Sequence, residues 1–401
     1  MIDTRVPSNL MMSRMATDIL NQQADIAAIQ EQIASGKQIN RPSDNPAQAA
    51  NLINMAETQS RLEQYQRNSI TAESKLTLEE ASITGTINTL NRIRELVLSS
   101  NNGALDDSGR EAINSEVVLK LDELYDLANS KDTNGDYLFS GSNTQSKPFT
   151  KSVPVTYSGS DDALTGNIGL GREISIADSG ADVFMRIRAG NEDFSVSASP
   201  ANTGTGLIST GNVSDISLYD GTPYRLEFTS TDQFDIVNAD TGAPVQTGLS
   251  YSSQSSIEFG GINTNVVGQP AAGDTFEIRP SQYQDVFSTV SNYIDALNGS
   301  QATAADRAQY QQSLNETLIN IDNALDHLNT SRSKVGNRLN SIDSSREENE
   351  SITLQLEISR SNLEDVDIAD VVTKLQTRTT SLEILQQSFS VVANISLFNY
   401  M

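Results

Sequence analysis

The stretch from Ala304 to Arg360 constrains this chain most, because it holds a seven-residue register over seven successive positions in each of two lines, with no proline to break it. One line reads Leu314, Ile321, Leu328, Val335, Ile342, Asn349 and Leu356. A companion four residues on reads Leu318, Leu325, Arg332, Leu339, Arg346, Thr353 and Arg360. A period of seven sustained this far keeps one narrow stripe facing a neighbour, so the segment predicts a long helix with coiled-coil packing. Polar substitutions gather in its C-terminal half, where the seam is expected to loosen.

A partner of comparable length lies toward the N-terminus. Leu52, Met55, Leu62, Tyr65, Leu76, Ile83, Ile87, Leu90 and Val97 step at helical spacing, with Gly85 the single glycine among them. They predict a helix over 43–100, with Ser43 or Asp44 as its cap and Pro46 in the tolerated first turn. Ile113, Val117, Leu121, Leu124 and Ala128 predict a third helix over 107–130.

From Gly141 the texture changes: 17 of the 24 glycines and seven of the ten prolines fall between 141 and 280. Short alternating runs such as EISIA, MRIRA, DFSVSAS, YRLEFTS, FDIVNA, SIEFGG and DTFEIRP read as strands separated by turns. GNIGLG, residues 166–171, reads as loop, since no helix follows it to present a phosphate site. The expected fold is therefore mainly α with an inserted β-rich domain. Segments 1–140 and 284–401 form an elongated antiparallel helical, coiled-coil rod, and an outer domain over 141–283 stands at its distal end.

The two ends of the chain are patterned alike. Met12, Met15, Ile19, Ile26, Ile29 and Ile33 form one stripe on a helix over 9–35, interrupted only by Gln22. Ile368, Val371, Leu375, Leu382, Leu385, Phe389 and Val392 form another on a helix over 366–398, whose start is read from the capping-box spacing of Ser361 and Glu364. These stripes are narrow, and ordering so many residues has a large conformational cost. The expectation is that the ends pair with one another and are completed by other subunits, with Met15, Ile19, Ile26, Ile29, Ile33 and the seven C-terminal positions as interface. A self-contained intramolecular core is the alternative.

Residues able to carry chemistry are sparse. The net charge of -25 is spread along the chain with no basic patch, which argues against nucleic acid. There is no cysteine, no apolar run of membrane-spanning length, and no basic start followed by an apolar core of the secretory kind. His327 is the sole histidine, without cysteine or a second histidine to complete a site. Asp132, Asn134 and Asp136 space like the opening of a calcium loop, yet the glycine comes at the fourth position and Asn143 stands where the bidentate glutamate belongs, so a turn is expected. No enzyme, cofactor or metal site is expected. A helical scaffold or signalling protein stays open as a different class.

Specific phrases then resemble a known family. IASGKQINRPSDNPAQAA (33–50) resembles the N-terminal element of bacterial flagellins, and NLEDVDIADVVTKLQ with EILQQSF, between Asn362 and Phe389, resembles their C-terminal element. RPSDNP, NGDYLFSGSNTQSKPF (134–149) and the closing SLFNYM resemble the hook–filament junction members of that family rather than filament-forming flagellin, which remains the alternative. The resemblance implies an extracellular structural adaptor of the flagellum, exported unfolded by the flagellar type III route. It implies contacts with other copies of the chain, with hook-associated protein 1 on the hook side and with flagellin on the filament side. It further implies a cytoplasmic export chaperone at the C-terminal helix, for which Leu375, Leu382, Leu385, Phe389 and Val392 form a suitable stripe.

Overall fold

A computed structural model describes residues 8–102, 105–152 and 154–398. The first three residues of the SLFNYM phrase lie in its last helix, and Asn399 to Met401 lie outside the described residues. The chain opens with α1 (Ser8–Ser35), α2 (Pro46–Ser100) and α3 (Asp107–Ala128), and closes with α4 (Val286–Asn298), α5 (Ala304–Glu364) and α6 (Ile368–Phe398). Between them run β1 (Phe149–Thr150), β2 (Thr156–Tyr157), β3 (Leu164–Gly169), β4 (Arg172–Ala177), β5 (Ile187–Arg188), β6 (Phe194–Ala198), β7 (Leu207–Ile208) and β8 (Asn212–Val213). The remaining strands are β9 (Tyr224–Phe228), β10 (Gln233–Asn238), β11 (Pro244–Ser250), β12 (Ser256–Phe259), β13 (Ile262–Val267), β14 (Thr275–Pro280) and β15 (Tyr283–Gln284).

The chain divides into two compact units, residues 1–67 with 345–401 and residues 68–344. In the second unit, Leu76, Ile83, Leu90 and Val97 of α2 share a core with Leu314, Ile321, Leu328, Val335 and Ile342 of α5. Each of these side chains is fully buried, as a helix seam with a seven-residue period requires. Gly85 allows α3 to come close, since a Cβ there would meet Leu127 Cδ2 at 2.9 Å. Tyr293 of α4 is fully buried and donates to Ser100 Oγ (2.9 Å), which ties α4 to the end of α2.

The strand region joins two different cores. Leu138, Phe139, Phe149, Ile168, Val183, Phe184 and Ile187 pack into the helical core, where Phe184 and Phe149 meet edge-on at 5.6 Å and Tyr125 stacks on Phe287 at 4.3 Å. From Phe194 onward a second core forms. A five-stranded antiparallel sheet ordered β11-β10-β9-β14-β6 and a smaller sheet of β12, β13 and β7, with β8 on β13, enclose Phe194, Leu226, Phe228, Ile236, Phe276, Ile262 and Val266. Alternate residues of β9 and β13 face inward, which is the period of a half-buried strand.

Several local expectations need correction. GNIGLG is not loop: Gly166 to Gly169 belong to β3, and Gly171, at φ +72°, turns the chain into β4. The cap of α2 is Asn45, whose Oδ1 accepts from Gln48 N (3.2 Å), because Pro46 occupies the first helical position and leaves the cap to the residue before it. Asp44 instead accepts from Arg41 N (2.8 Å), closing the preceding turn. The capping-box reading of Ser361 and Glu364 also fails, since α5 runs on through Glu364 and Asp367 caps α6 by accepting from Ala369 N (3.0 Å). The leading line of the α5 seam stays closed as far as Asn349, its first polar position, which is buried, and loosens beyond it, where Leu356 is half-buried and Leu354 and Ile358 beside the line are exposed.

Asp132, Asn134 and Asp136 form a turn. Asp132 Oδ1 accepts from Asn134 N (2.8 Å) and Asp136 N (3.0 Å), and Lys75 Nζ lies 3.2 Å from Asp132 Oδ2. Burial works to raise the Asp132 carboxyl, but the amides of Asp136 and Asn134 and the Lys75 ammonium hold it below its ordinary value. A lysine thus stands where a calcium ion would. His327 Nε2 bonds the carbonyl of Asp182 (2.6 Å) and so fastens α5 to the turn before β5.

Candidate assembly interface

The candidate site is the pair formed by α1 and α6, and local sequence sets how they meet. Gly36, at φ +70°, ends α1 in the left-handed region that glycine enters most readily. The chain just beyond it pairs with the junction of α5 and α6: Gln38 N donates to Glu364 O (2.6 Å) and Val366 N to Gly36 O (3.0 Å). An ion pair joins Lys37 to Glu364. From this fixed point the two helices run antiparallel along one another, and Gln22 meets Arg378 fourteen residues back from Gly36.

That meeting is a reciprocal bond inside an apolar seam. Gln22 Nε2 donates to Arg378 O (3.1 Å), and Arg378 Nη1 donates to Gln22 Oε1 (3.1 Å) and lies 3.5 Å from Asp25 Oδ2. Gln22 is buried, 8% exposed. A buried polar side chain with a single satisfying partner fixes which residues lie opposite each other.

The stripe positions differ in how far the chain itself covers them. Val371 is buried. Met15, Ile19, Ile26, Ile29, Ile33, Leu375, Leu382, Leu385, Phe389 and Val392 are half-buried, and Ile368 is exposed. The pair therefore uses part of each side chain and leaves the rest to solvent. Off the stripe, Leu20 (66% exposed), Val372, Ile384 and Val391 stand free. Sequence reading passed over these four because each sits one position beside a residue already placed on the stripe. Their signal was the apolar residue beside a stripe position, as Leu20 is to Ile19 and Val372 to Val371. Within the first unit Ile53 of α2 and Leu354 and Ile358 of α5 are exposed too.

Comparison with known proteins places this architecture. The family described as the bacterial flagellin N-terminal helical region matches residues 6–144. Flagellar hook-associated protein 3 of Salmonella typhimurium is 29% identical over 183 residues, 46% of this chain, and the match spans 57% of that protein's length. The flagellar junction protein FlgL of Legionella pneumophila is 31% identical, with 71% of this chain and 96% of that one covered and a TM-score of 0.65. FlgL of Xanthomonas campestris is 30% identical with a TM-score of 0.69, covering 76% of this chain and 99% of its own. With solved relatives at 30% identity or more that are covered almost in full, the chain belongs to the family of flagellar hook-associated protein 3, FlgL.

Proposed function

We propose that this chain is a structural adaptor at the hook–filament junction of a bacterial flagellum and that α1 and α6 form its assembly surface. The single observation that carries this reading is the half-covered α1/α6 seam with exposed Leu20, Ile368, Val372, Ile384 and Val391 around it. Apolar surface left open on both helices of a pair favours association with further helices. Met15, Ile19, Ile26, Ile29, Ile33, Ile368, Val371, Leu375, Leu382, Leu385, Phe389 and Val392 then serve two layers, one within the chain and one between chains. Neighbours would be other copies of the chain, hook-associated protein 1 toward the hook and flagellin toward the filament.

Before assembly, Leu375, Leu382, Leu385, Phe389 and Val392 are suited to a cytoplasmic export chaperone, because an amphipathic helix laid in a groove is a common recognition mode. Absence of cysteine suits a chain that travels unfolded and arrives outside the cell.

The test is a strain lacking this protein. Hooks should form normally while flagellin is lost to the medium, and supplying the chain should restore filaments. Normal filaments in that strain contradict the junction role. A filament-forming flagellin is the second reading, favoured by the flagellin N-terminal match; purified chain added to filament seeds would then grow long homopolymers instead of a short, capped addition.

A further inference from the structure

The core of the strand domain, around Phe194, Leu226 and Phe276, is distinct from the helical core, and along α5 the two are joined by polar groups. Gln309, Gln312, Glu316, Asn320 and Asn323 follow one another at intervals of three, four, four and three, which places them on one face of the helix. Gln309 Nε2 donates to the carbonyls of Pro200 (2.9 Å) and Asn202 (3.0 Å). Gln312 Oε1 accepts from Ile208 N (3.1 Å), and Asn320 Oδ1 accepts from Gly190 N (3.0 Å). Asn323 Nδ2 donates to the carbonyls of Arg188 (3.0 Å) and Gly190 (2.7 Å). Four amide side chains thus hold the main chain of the strand domain.

Glu316, in the middle of this ladder, is its one ionisable member. Its Oε1 accepts from Gln312 Nε2 (2.9 Å), so Gln312 bridges it to the Ile208 amide. A cavity of about 330 Å³ opens beside it. The other titratable groups lining that cavity are Arg279 of β14 and Tyr283 of β15. Arg279 is engaged by Glu277 Oε2 (2.8 Å) and Asp240 Oδ1 (3.0 Å). From β6 come Ser195 and Ser197 and from the turn after β7 Thr210, all uncharged, as are Asn320 and Gln284. Burial pushes the Glu316 carboxyl up to about 7, and the Gln312 amide opposes it only in part.

We propose that Glu316 is a proton-controlled latch between α5 and the strand domain, closed when the side chain is an uncharged acid and loosened when it ionises. The carboxylate needs more donors than the one Gln312 amide that the ladder supplies, and water drawn into the adjoining cavity is the way to provide them. Hydrating Glu316 pulls Gln312 away from Ile208 and weakens the neighbouring Asn320 contact. The sign follows from the raised value: the contribution is full below the ordinary carboxyl value of 4.5 and is lost as pH rises through about 7.

Amide exchange on the full chain between pH 4 and pH 9, corrected for the intrinsic rate, tests the latch. Protection of the Ile208 and Gly190 amides relative to that of Leu226 in β9 should fall by up to about tenfold per pH unit between pH 4.5 and 7 and level off above 7. It should stay level in Glu316→Gln. A level ratio in the wild-type chain, or an equal fall in the variant, overturns the proposal. Should the variant not fold, carbon-13 titration of the Glu316 carboxyl in the wild-type chain decides. A midpoint near 7, where the fall in protection levels off, supports the latch, and a midpoint near 4.5 overturns it.

Discussion

At the scale of single residues, one buried carboxyl of α2 carries a clear electrostatic cost. Glu79 of α2 is 1% exposed, and its carboxyl lies beside that of Asp178. Burial first, and the Asp178 carboxylate second, push its carboxyl well above the ordinary 4.5, while Arg338, ion-paired with Asp178, pulls the other way. Stability from this group is full below that ordinary value and is lost as pH rises through the raised one. Glu79→Gln should therefore flatten the decline of thermal stability between pH 5 and pH 8, by up to about 1.4 kcal/mol per pH unit. An unchanged slope in parallel melting curves would contradict the assignment. Phe184 is a simpler case: fully buried against Phe139, Phe149 and Phe287, it should cost about 3–5 kcal/mol when replaced by alanine, read in urea unfolding. Neither role could be read from the sequence. Glu79 follows Leu76 by three residues and looks like any solvated glutamate of a long helix, and Phe184 stands in a run that reads as the approach to a strand. Burial of both depends on β4 and the turn before β5 arriving from far along the chain.

At the scale of elements, periodicity told most where it was longest. The seven-residue line from Leu314 to Ile342 lies fully in the core because coiled-coil geometry is written in the spacing itself. Element ends were harder to read, since a cap is decided by one hydrogen bond: Asn45 rather than Ser43 or Asp44, and Asp367 rather than Ser361. Strand β3 was missed, although its partner β4 was read from EISIA, for a related reason, as Gly166 and Gly169 weaken strand propensity while main-chain pairing supplies the strand. The polar ladder of α5 was hidden because its amides look solvated in sequence and are used by carbonyls and amides more than a hundred residues earlier. For the α1/α6 pair the decisive element is the Gln22–Arg378 bond. Gln22→Ala should lower the stability of the pairing by about 1–2 kcal/mol, since it leaves a guanidinium contact unmet in a half-buried seam. Gln22→Leu should instead hold the helices together with less definite register, visible as broadened α1 and α6 resonances. Equal behaviour of the two variants would show that the bond does not set register.

At the scale of the whole chain, the two units differ in how their apolar surface is used. Residues 68–344 enclose two cores whose central side chains are fully buried. In the unit built from residues 1–67 and 345–401, Val371 is the one stripe residue of α1 or α6 that reaches burial, among those described. Likeness between the two ends was legible from the start in their matched stripes. The residues left over once those stripes meet, Leu20, Val372, Ile384 and Val391, emerge only when the pair is built. The central claim is that this terminal pair stays incomplete until other subunits cover it. Amide exchange on the dilute monomer tests it most directly, with the same chain assembled on hooks as reference. The account predicts that α1 and α6 exchange far faster in the monomer than the amides of Leu90 and Ile321, and that they become protected on assembly. Protection of α1 and α6 in the monomer equal to that of Leu90 and Ile321 would contradict it.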